Sequence, residues 1–344
     1  MRNILSRRHE QSSACSDSFS LQAMPDEIVL KILIYLEIKN ILKMSQTSKR
    51  FHGICQENTL WQIIDVSGSN GYKRVPTSFI HKLLGKECKE LRLQQVKLKG
   101  KLEINDESKL EYLHIKNVNI KNGVLEQIST SSKSLQVLRF RNLKRNFNLI
   151  VNISQNNSKT LLKLNLSGCQ GLFQSIQHIV KNCSELTELN LFDTKISQYS
   201  IKYLANKLTP KIRKLYLGGV DNVRDEHITT LVRRCNAITD LDISGTDVTN
   251  SSINSIIEHL KPSLRKLNVN DTFVDCSKLS ELRDMPMLKI LFCQHLGDGE
   301  IESLRKQLPD VQIDVWEDKR AEPEKNEMCY CWKFYGNCWQ FYGT

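Results

Sequence analysis

The sequence predicts an α/β protein, in which a small three-helix module precedes a curved parallel sheet with helices on its outer side. Two observations predict this fold. An apolar pattern repeats along most of the chain, and residues 21–61 depart from that repeat and show helical spacing instead. The chain has 344 residues, of which 40% are apolar, so it can build more than one core.

The repeat has the form apolar–x–x–apolar–x–apolar, and successive copies begin 24 to 26 residues apart. This spacing is typical of leucine-rich repeats, in which each unit is a short strand followed by a helix. Each unit buries its leucines only against its neighbours, which predicts one continuous parallel sheet. Regular copies begin at Leu110, Leu135, Leu161, Leu186, Ile212, Ile238, Leu264 and Leu288, and looser copies begin at Cys88 and Leu308.

The cysteines fit the repeat better than they fit a disulfide framework. Their number, 11, is odd, and most of them are isolated. Cys183 and Cys235 each precede the first apolar residue of a repeat by three positions. This placement resembles the cysteine-containing class of leucine-rich repeats, where the thiol caps a helix inside the core. We expect both thiols to be buried. A metal site is not indicated, because neither cysteine has a second ligand nearby.

Residues 21–61 predict three short helices. Pro25 suits the first position of a helix, and Asp26 and Glu27 suit its positive end. In this first helix Ile28, Ile32 and Tyr35 with Leu36 recur at helical spacing. A second helix carries Ile41, and a third runs from Lys49 to about residue 56. A module of this size has a small core, so we expect its remaining apolar face to be buried on a partner.

This segment strongly resembles the F-box. The resemblance is carried by residues 24–28 (MPDEI), 41–45 (ILKMS), 49–51 (KRF) and 60–61 (LW). It implies binding to the small adaptor that links substrate receptors to the cullin and RING subunits of a ubiquitin ligase. A helical cap on the repeat array is the alternative interpretation. The residues to which the resemblance assigns adaptor contact are Met24, Pro25, Ile28, Ile32, Leu36, Leu42, Met44 and Trp61.

The resemblance extends beyond the F-box. Residues 61–68 (WQIIDVSG), 285–289 (MPMLK) and 304–313 (LRKQLPDVQI) are similar to the S-phase kinase-associated group of F-box/leucine-rich-repeat proteins. It implies a substrate receptor of an SCF-type ligase, a cell-cycle role and a small cyclin-kinase-subunit accessory protein as a further partner. The expected domains are a flexible N-terminus (1–20), the F-box and linker (21–66), an arc of about nine or ten repeats (67–315) and a C-terminal tail (316–344).

Strand alternation places the non-leucine positions on the sheet face away from the helices, here called the variable face and expected to be concave. Solenoids commonly bind partners there. Lys116, Arg139, Arg141 and Lys163 are candidates for gripping a phosphorylated or acidic substrate segment, although solvated charges are the alternative. Exposed aromatic residues favour protein contact, and Phe192, Tyr216 and Phe292 are expected to be such residues.

Other function classes have little support in the sequence. The net charge of +11 favours acidic partners, but the basic residues are scattered and no nucleic-acid motif is present. The eight histidines have no metal-ligand spacing, and neither a phosphate loop nor a nucleophile elbow occurs. We therefore expect no enzyme activity, no catalytic or metal residues and no cofactor. The alternative is a repeat scaffold, or a binder of acidic ligands or nucleic acid, that is not attached to a ligase.

Two further expectations concern location and the tail. No stretch approaches the ~20 apolar residues that span a bilayer, and the first twenty residues lack a signal-peptide core. We expect a protein of the nucleus and/or cytoplasm with no membrane partner. The tail contains three cysteines and seven aromatic residues between 329 and 342. It is either an aromatic strap on the repeats or a poorly structured terminus.

Overall fold

The computed structural model describes residues 20–67, 73–76, 87–99, 109–118, 132–142, 147–172, 175–293 and 297–314. The expectations for the N-terminus before residue 20 and for the tail after residue 314 lie outside these ranges. The chain divides into two compact units, Met1–Leu60 and Trp61–Thr344. Among the described residues, none of the helices has the length and apolar character needed to cross a membrane.

The first unit contains the three predicted helices, preceded by a 3₁₀ turn at Leu21–Ala23. They are α1 (Asp26–Leu33), α2 (Ile38–Met44) and α3 (Lys49–Ile54). Their core is built by the inward side chains Val29, Leu33, Ile41, Phe51 and Ile54, all of which are buried. Helix α1 is shorter than its apolar spacing suggested: it ends at Leu33, and residues 34–36 form the turn that follows.

The second unit is built on a parallel sheet. In the described ranges it has 11 strands in the order β1-β3-β5-β6-β7-β8-β9-β10-β11-β12-β13, and a separate pair joins β2 to β4. The strands are β1 (Ile63–Ser67), β2 (Lys73–Pro76), β3 (Glu90–Gln94), β4 (Val96–Lys99), β5 (Tyr112–Lys116), β6 (Val137–Arg141), β7 (Lys163–Asn165), β8 (Glu188–Asn190), β9 (Lys214–Tyr216), β10 (Asp240–Asp242), β11 (Lys266–Asn268), β12 (Ile290–Phe292) and β13 (Gln312–Asp314).

The predicted repeat register is confirmed, because the second apolar residue of every copy from Leu110 to Leu288 lies in its strand and is buried. These leucines pair directly across the sheet, as Leu189, Leu215, Leu241 and Leu267 do. Helices of the second unit follow their strands: α4 (Phe147–Asn156), α5 (Ser175–Asn182), α6 (Gln198–Lys207), α7 (Asp225–Arg234), α8 (Asn250–Leu260), α9 (Cys276–Leu279) and α10 (Asp298–Gln307).

Three strands were not predicted, namely β1 and the separate pair β2 and β4. Residues 61–66 were assigned to a linker, but Ile63–Ser67 forms β1 and pairs in parallel with β3. Ile64 and Val66 are buried, whereas Ile63 is 52% exposed. This alternation is the usual signal for a strand with one buried face.

Just beyond the ends of the strands, a column of residues has a left-handed backbone conformation, with positive φ. The members from Gln95 to Gly245 donate their backbone N–H groups to a carbonyl of the next repeat, as Gly168 does to Phe192 and Gly219 does to Ser244, at 2.9 and 2.7 Å. Asparagine, aspartate and glycine tolerate positive φ better than other residues, and they fill most of the column. The column consists of Gln95, Asn117, Asn142, Gly168, Asp193, Gly219, Gly245 and Asp271.

Candidate functional sites: an apolar face and a basic cluster

The first unit exposes a concentration of large apolar side chains. Ten large apolar residues are exposed in the described part of the chain, and six of them lie between positions 21 and 36. Helix α1 explains part of this, because Val29 and Leu33 point into the core while Ile28 and Ile32, also four residues apart, are 42% and 37% exposed. The surface formed by Ile28, Ile32, Ile34, Tyr35 and Leu36 is here called the apolar face.

The residues predicted to contact the adaptor differ in accessibility. Pro25 and Leu36 are exposed together with Ile28 and Ile32, whereas Met24, Leu42 and Met44 are half-buried. Trp61 corrects the predicted set: it belongs to the second unit and is only 3% exposed, so its side chain offers almost no surface to a partner. Sequence reasoning missed Ile34 and Tyr35, which are 53% and 86% exposed. The sequence feature that could have identified them is a pair of adjacent large apolar residues just after Leu33, the last buried residue of α1.

Arg50 fixes the start of α1 against α3. Its Nε donates to Asp26 Oδ1 at 2.8 Å, and its Nη1 donates to the Gln22 carbonyl at 2.5 Å. Its Nη2 also donates to the Met24 carbonyl and to Asp26. Several charge-assisted hydrogen bonds from one guanidinium hold the segment before α1 in place. The orientation of the apolar face therefore depends on a residue that contributes no apolar surface.

On the variable face, strand register brings three of the predicted basic residues together. Arg139 pairs with His114, and Arg141 pairs with Lys116, across β5 and β6. On β3, which pairs with the other side of β5, Arg92 lies beside His114. Adjacent strands are about 5 Å apart, so these side chains occupy one patch. We call Arg92, His114, Lys116, Arg139 and Arg141 the basic cluster.

Electrostatic effects within the basic cluster are visible in two pKa values. Burial and, to a smaller extent, the positive charges of Arg139 and Arg92 lower the pKa of His114 to about 3. Burial and the neighbouring Arg141 lower the pKa of Lys116 to about 8. Both shifts favour the uncharged form, as expected where cations are crowded and partly removed from water.

Lys163, the fourth predicted basic residue, is separate from this cluster. Its Nζ lies 3.7 Å from Glu188 Oε2 on the next strand, so a carboxylate of the protein partly neutralises it. The structure therefore supports Lys116, Arg139 and Arg141 as a group and separates Lys163 from them.

Beyond β6 the polar residues of the variable face have structural roles. The side chains of Asn165, Asn190 and Asn268 each accept a hydrogen bond from the backbone N–H two residues later, at 2.9 to 3.1 Å. Asp242 accepts in the same way from Ser244, at 3.0 Å. These side chains are buried and satisfy the chain where it leaves each strand.

The expectation of exposed aromatic residues on this face was wrong for two of the three. Tyr216 and Phe292 are 1% and 7% exposed, and Phe192 is half-buried. Gly218 shows how closely the face is packed, because a Cβ there would lie 2.5 Å from Ser244 Oγ and 2.9 Å from a ring carbon of Phe192. Alternation predicts the face on which a side chain lies, but it does not predict how closely neighbours cover it.

Cys183 and Cys235 are buried, as predicted. The Cys183 thiol donates to the Ser154 carbonyl in α4 at 3.5 Å, and the Cys235 thiol donates to the Thr209 carbonyl just after α6 at 3.5 Å. Each thiol thus interacts with the end of the helix of the preceding repeat. Within the described ranges, no cluster of three or more His, Cys, Asp or Glu residues could hold a metal ion.

Comparison with known families finds a matching family model for each of the two units. Residues 21–67 match the F-box-like family model, and residues 72–317 match the model of the SKP2 LRR domain. The chain belongs to the F-box/leucine-rich-repeat family, with a repeat domain of the SKP2 type. This F-box/leucine-rich-repeat protein is 37% identical over 51 residues to F-box only protein 36 of Mus musculus, and the match spans 14% of this chain and 27% of that relative.

Two solved structures resemble the F-box/leucine-rich-repeat protein at low identity. The crystal structure of the Rad7 and Elc1 complex in yeast has 15% identity and a TM-score of 0.47, with 87% of this chain and 91% of the other covered. An internalin from Listeria monocytogenes has 13% identity and a TM-score of 0.43, with coverage of 83% and 94%.

The combination of an F-box with leucine-rich repeats is the domain organisation of SCF substrate receptors, whose F-box binds a Skp1-type adaptor. Members of this family are typically non-catalytic.

Proposed function

We propose that this chain is a substrate receptor of an SCF-type cullin–RING ubiquitin ligase. The observation that carries the proposal is the apolar face of the F-box unit. Ile28, Ile32 and Leu36 remain exposed although the unit has a complete core of its own. An exposed apolar patch of this kind is typical of a protein–protein interface.

In the proposed complex the F-box binds the Skp1-type adaptor, which connects the chain to the cullin and RING subunits. The repeats hold a substrate near the conjugating enzyme and raise the effective concentration of its lysines. This role requires positioning rather than chemistry in the receptor itself.

The adaptor interface can be tested by charge introduction. Ile28→Lys with Ile32→Lys should abolish co-purification with the adaptor and cullin, because each lysine places a charge in a buried apolar interface. The repeats should still fold, since the substitutions lie in the separate first unit. The matched control is Phe273→Lys, which replaces an apolar residue that is 70% exposed in the second unit.

Stoichiometric adaptor binding by the double variant would show that the apolar face is not the docking surface. Failure of the wild-type chain to bind any adaptor would refute the receptor proposal and favour a repeat scaffold without a ligase. A circular-dichroism melt of each variant separates loss of binding from loss of folding.

We further propose that the substrates include cell-cycle regulators, that a cyclin-kinase-subunit protein serves as an accessory partner, and that the receptor acts in the nucleus and/or cytoplasm. Support comes from the SKP2-type repeat domain and from the sequence resemblance given above. Proteomics after depletion of the chain should reveal accumulated substrates. Accumulation confined to proteins unrelated to the cell cycle would contradict this part of the proposal.

A further inference from the structure

Many cations of the second unit lie at one edge of its sheet. The strands are parallel and paired in register, so they all begin at that edge, and a short segment leads to each strand from the preceding helix. The seven residues before each strand from β8 to β13 are here called the basic edge; they are 181–187, 207–213, 233–239, 259–265, 283–289 and 305–311. These six segments contain twelve cations and three carboxylates, a net of nine positive charges.

The opposite edge of the same repeats has the opposite sign. The seven residues after each of the strands β8, β9, β10 and β11 contain five carboxylates and one cation, a net of four negative charges. Basic residues that are scattered along the sequence are therefore gathered by the fold into one surface. A polyanion is attracted to one edge of the sheet and repelled from the other.

We propose that the basic edge binds the phosphate backbone of double-stranded nucleic acid without reading its sequence. Such binding depends on cations that contact phosphates, since a duplex carries about one negative charge per 1.7 Å of its axis. The six strands of the basic edge are separated by five gaps of about 4.8 Å, so the edge is about 24 Å long, the length of about seven base pairs. This inference goes beyond the proposed receptor function, because it uses neither the apolar face nor the variable face.

Backbone hydrogen bonds align part of the basic edge into a row. The N–H group of Thr239 donates to the Arg213 carbonyl, and that of Arg265 donates to the Thr239 carbonyl, both at 2.7 Å. The N–H group of Lys289 donates in turn to the Arg265 carbonyl at 2.8 Å. Arg213, Arg265 and Lys289 therefore stand at the same position of their repeats, and all three side chains are exposed.

Helix dipoles do not account for this row. A helix favours cations in its last turn, which explains Lys207 at the end of α6 and Arg234 at the end of α7. Arg213, Arg265 and Lys289 lie five or six residues beyond the end of the preceding helix. The dipole effect is confined to the last turn, so these three cations have no such stabilisation.

Most cations of the basic edge are available to a ligand. Among the residues that the structure describes, two of the twelve form an ion pair with a carboxylate: Lys211 with Glu185 at 2.6 Å, and Lys306 with Glu302 at 2.9 Å. The others have no ion pair within the described ranges. A surface of exposed, unneutralised cations repels itself, and a bound polyanion would relieve that repulsion.

The composition of the basic edge favours a duplex over other polyanions. None of the large exposed apolar residues of the described chain lies in the six segments, although protein interfaces depend on such anchors. The segments contain no Phe, Tyr or Trp, on which the bases of a single strand would stack. Stable membrane binding likewise needs apolar groups in addition to charge. A duplex backbone needs only the cations.

The test measures binding of the full chain to a fluorescein-labelled 24-base-pair DNA duplex of mixed sequence, by fluorescence anisotropy at several salt concentrations. The logarithm of the association constant should fall linearly with the logarithm of salt concentration, with a slope of about −4 or steeper. Arg213→Gln/Arg265→Gln/Lys289→Gln should weaken binding about tenfold or more at 0.1 M salt and should reduce the magnitude of the slope by about 3.

The matched control removes the same charge elsewhere in the second unit. Lys163→Gln/Lys195→Gln/Lys202→Gln takes three exposed cations from the variable face, the opposite edge and helix α6, and should change binding less than about threefold. Melting temperatures verify folding. Because Arg213 also donates to three carbonyls of its own segment, Arg265→Gln/Lys289→Gln serves as a second variant and should reduce the slope by about 2.

Three outcomes would overturn the proposal. One is failure of the wild-type chain to bind the duplex at 0.05 M salt, and another is an equal loss of affinity in the control and in the variants of the basic edge. The third is a preference for a different polyanion: a 24-nucleotide single strand that binds as tightly as the duplex, or tighter binding to vesicles with 20% phosphatidylserine. Adaptor co-purification of all variants should match wild type, since the substitutions lie outside the first unit.

Discussion

At Gly168, the backbone and a neighbouring side chain both leave no room for a Cβ atom. Its φ is +67°, and a Cβ would lie 2.0 Å from Asn142 Oδ1. We predict that Gly168→Ala lowers the free energy of unfolding by about 1–2 kcal/mol from the backbone conformation alone, and by more if Asn142 cannot move. Urea denaturation measures this change.

Two variants check the cause. Gly299→Ala is the matched control, because its Cβ would meet nothing within 4 Å and its helical position favours alanine. Asn142→Gly added to Gly168→Ala should restore part of the stability, since it removes the obstructing side chain. If Gly168→Ala, Gly299→Ala and the double variant all unfold at the same urea concentration, the left-handed backbone conformation and the Asn142 side chain do not restrict which residue position 168 accepts.

The thiols of Cys183 and Cys235 should be protected from alkylation in the native protein. Burial raises their pKa values to about 12 and about 11, so little thiolate forms at pH 8 even where reagent can reach them. Site-resolved mass spectrometry after a short iodoacetamide pulse should find that Cys276, which is only half-buried, is labelled first among the cysteines that the structure describes. Rapid native labelling of Cys183 or Cys235 would contradict the repeat register.

The sequence allowed these cysteines to be predicted because their position relative to each strand is fixed by the repeat. It did not allow the burial of Tyr216 to be predicted, because that burial depends on packing between strands about 25 residues apart. Nor could it show that His114 Nε2 has no hydrogen-bond partner among the described residues, because this depends on where Glu90 and Arg92 point in the folded sheet.

At the scale of elements, one carboxylate links two consecutive repeats. Asp225, the first residue of α7, accepts hydrogen bonds from the hydroxyls of Ser252 and Thr249 at 2.5 and 2.6 Å, and from their backbone N–H groups. It thereby caps the start of α8. Burial raises its pKa, but these hydrogen bonds outweigh burial and leave the pKa below its usual value.

We predict that Asp225→Ala lowers the free energy of unfolding by about 1–3 kcal/mol near pH 7. The native carboxyl has the lower pKa, so its contribution is present above the unfolded value of about 4 and is lost as pH falls through the native value. Urea denaturation from pH 7 to pH 3 should show the two proteins converging. Asp221→Ala, an exposed neighbour, serves as the control, and an equal loss in it would reject the cap.

The strands could be predicted more completely than their surroundings. Paired leucines mark them because each strand buries the same positions, and even the looser copies at Cys88 and Leu308 led to β3 and β13. Strand β1 was missed because it follows the F-box motif directly and has no preceding repeat to define a period. Helix α1 was predicted too long because Tyr35 and Leu36 continue its apolar spacing, although both residues lie after the helix and belong to the apolar face.

At the scale of the whole molecule, the division into a helical unit and a repeat unit follows from two different sequence periods. Motif order alone named part of the apolar face that is proposed to dock the adaptor, but it included the buried Trp61 and missed Ile34 and Tyr35. The nucleic-acid proposal needed the structure, because it depends on which segments of neighbouring repeats lie side by side and on which of their cations already have partners.

Nearest-neighbour pairing in the parallel sheet also has a mechanical consequence. Each internal strand of the 11-stranded sheet is bonded only to the strands on either side, so tension applied to the chain ends loads the outermost repeat first. Optical-tweezer extension of the full chain should therefore show a series of small ruptures at similar force. Each would release one repeat of 24 to 26 residues, about 80 Å of chain. One rupture that releases the entire repeat unit would mean that the repeats share their strength rather than yielding in turn.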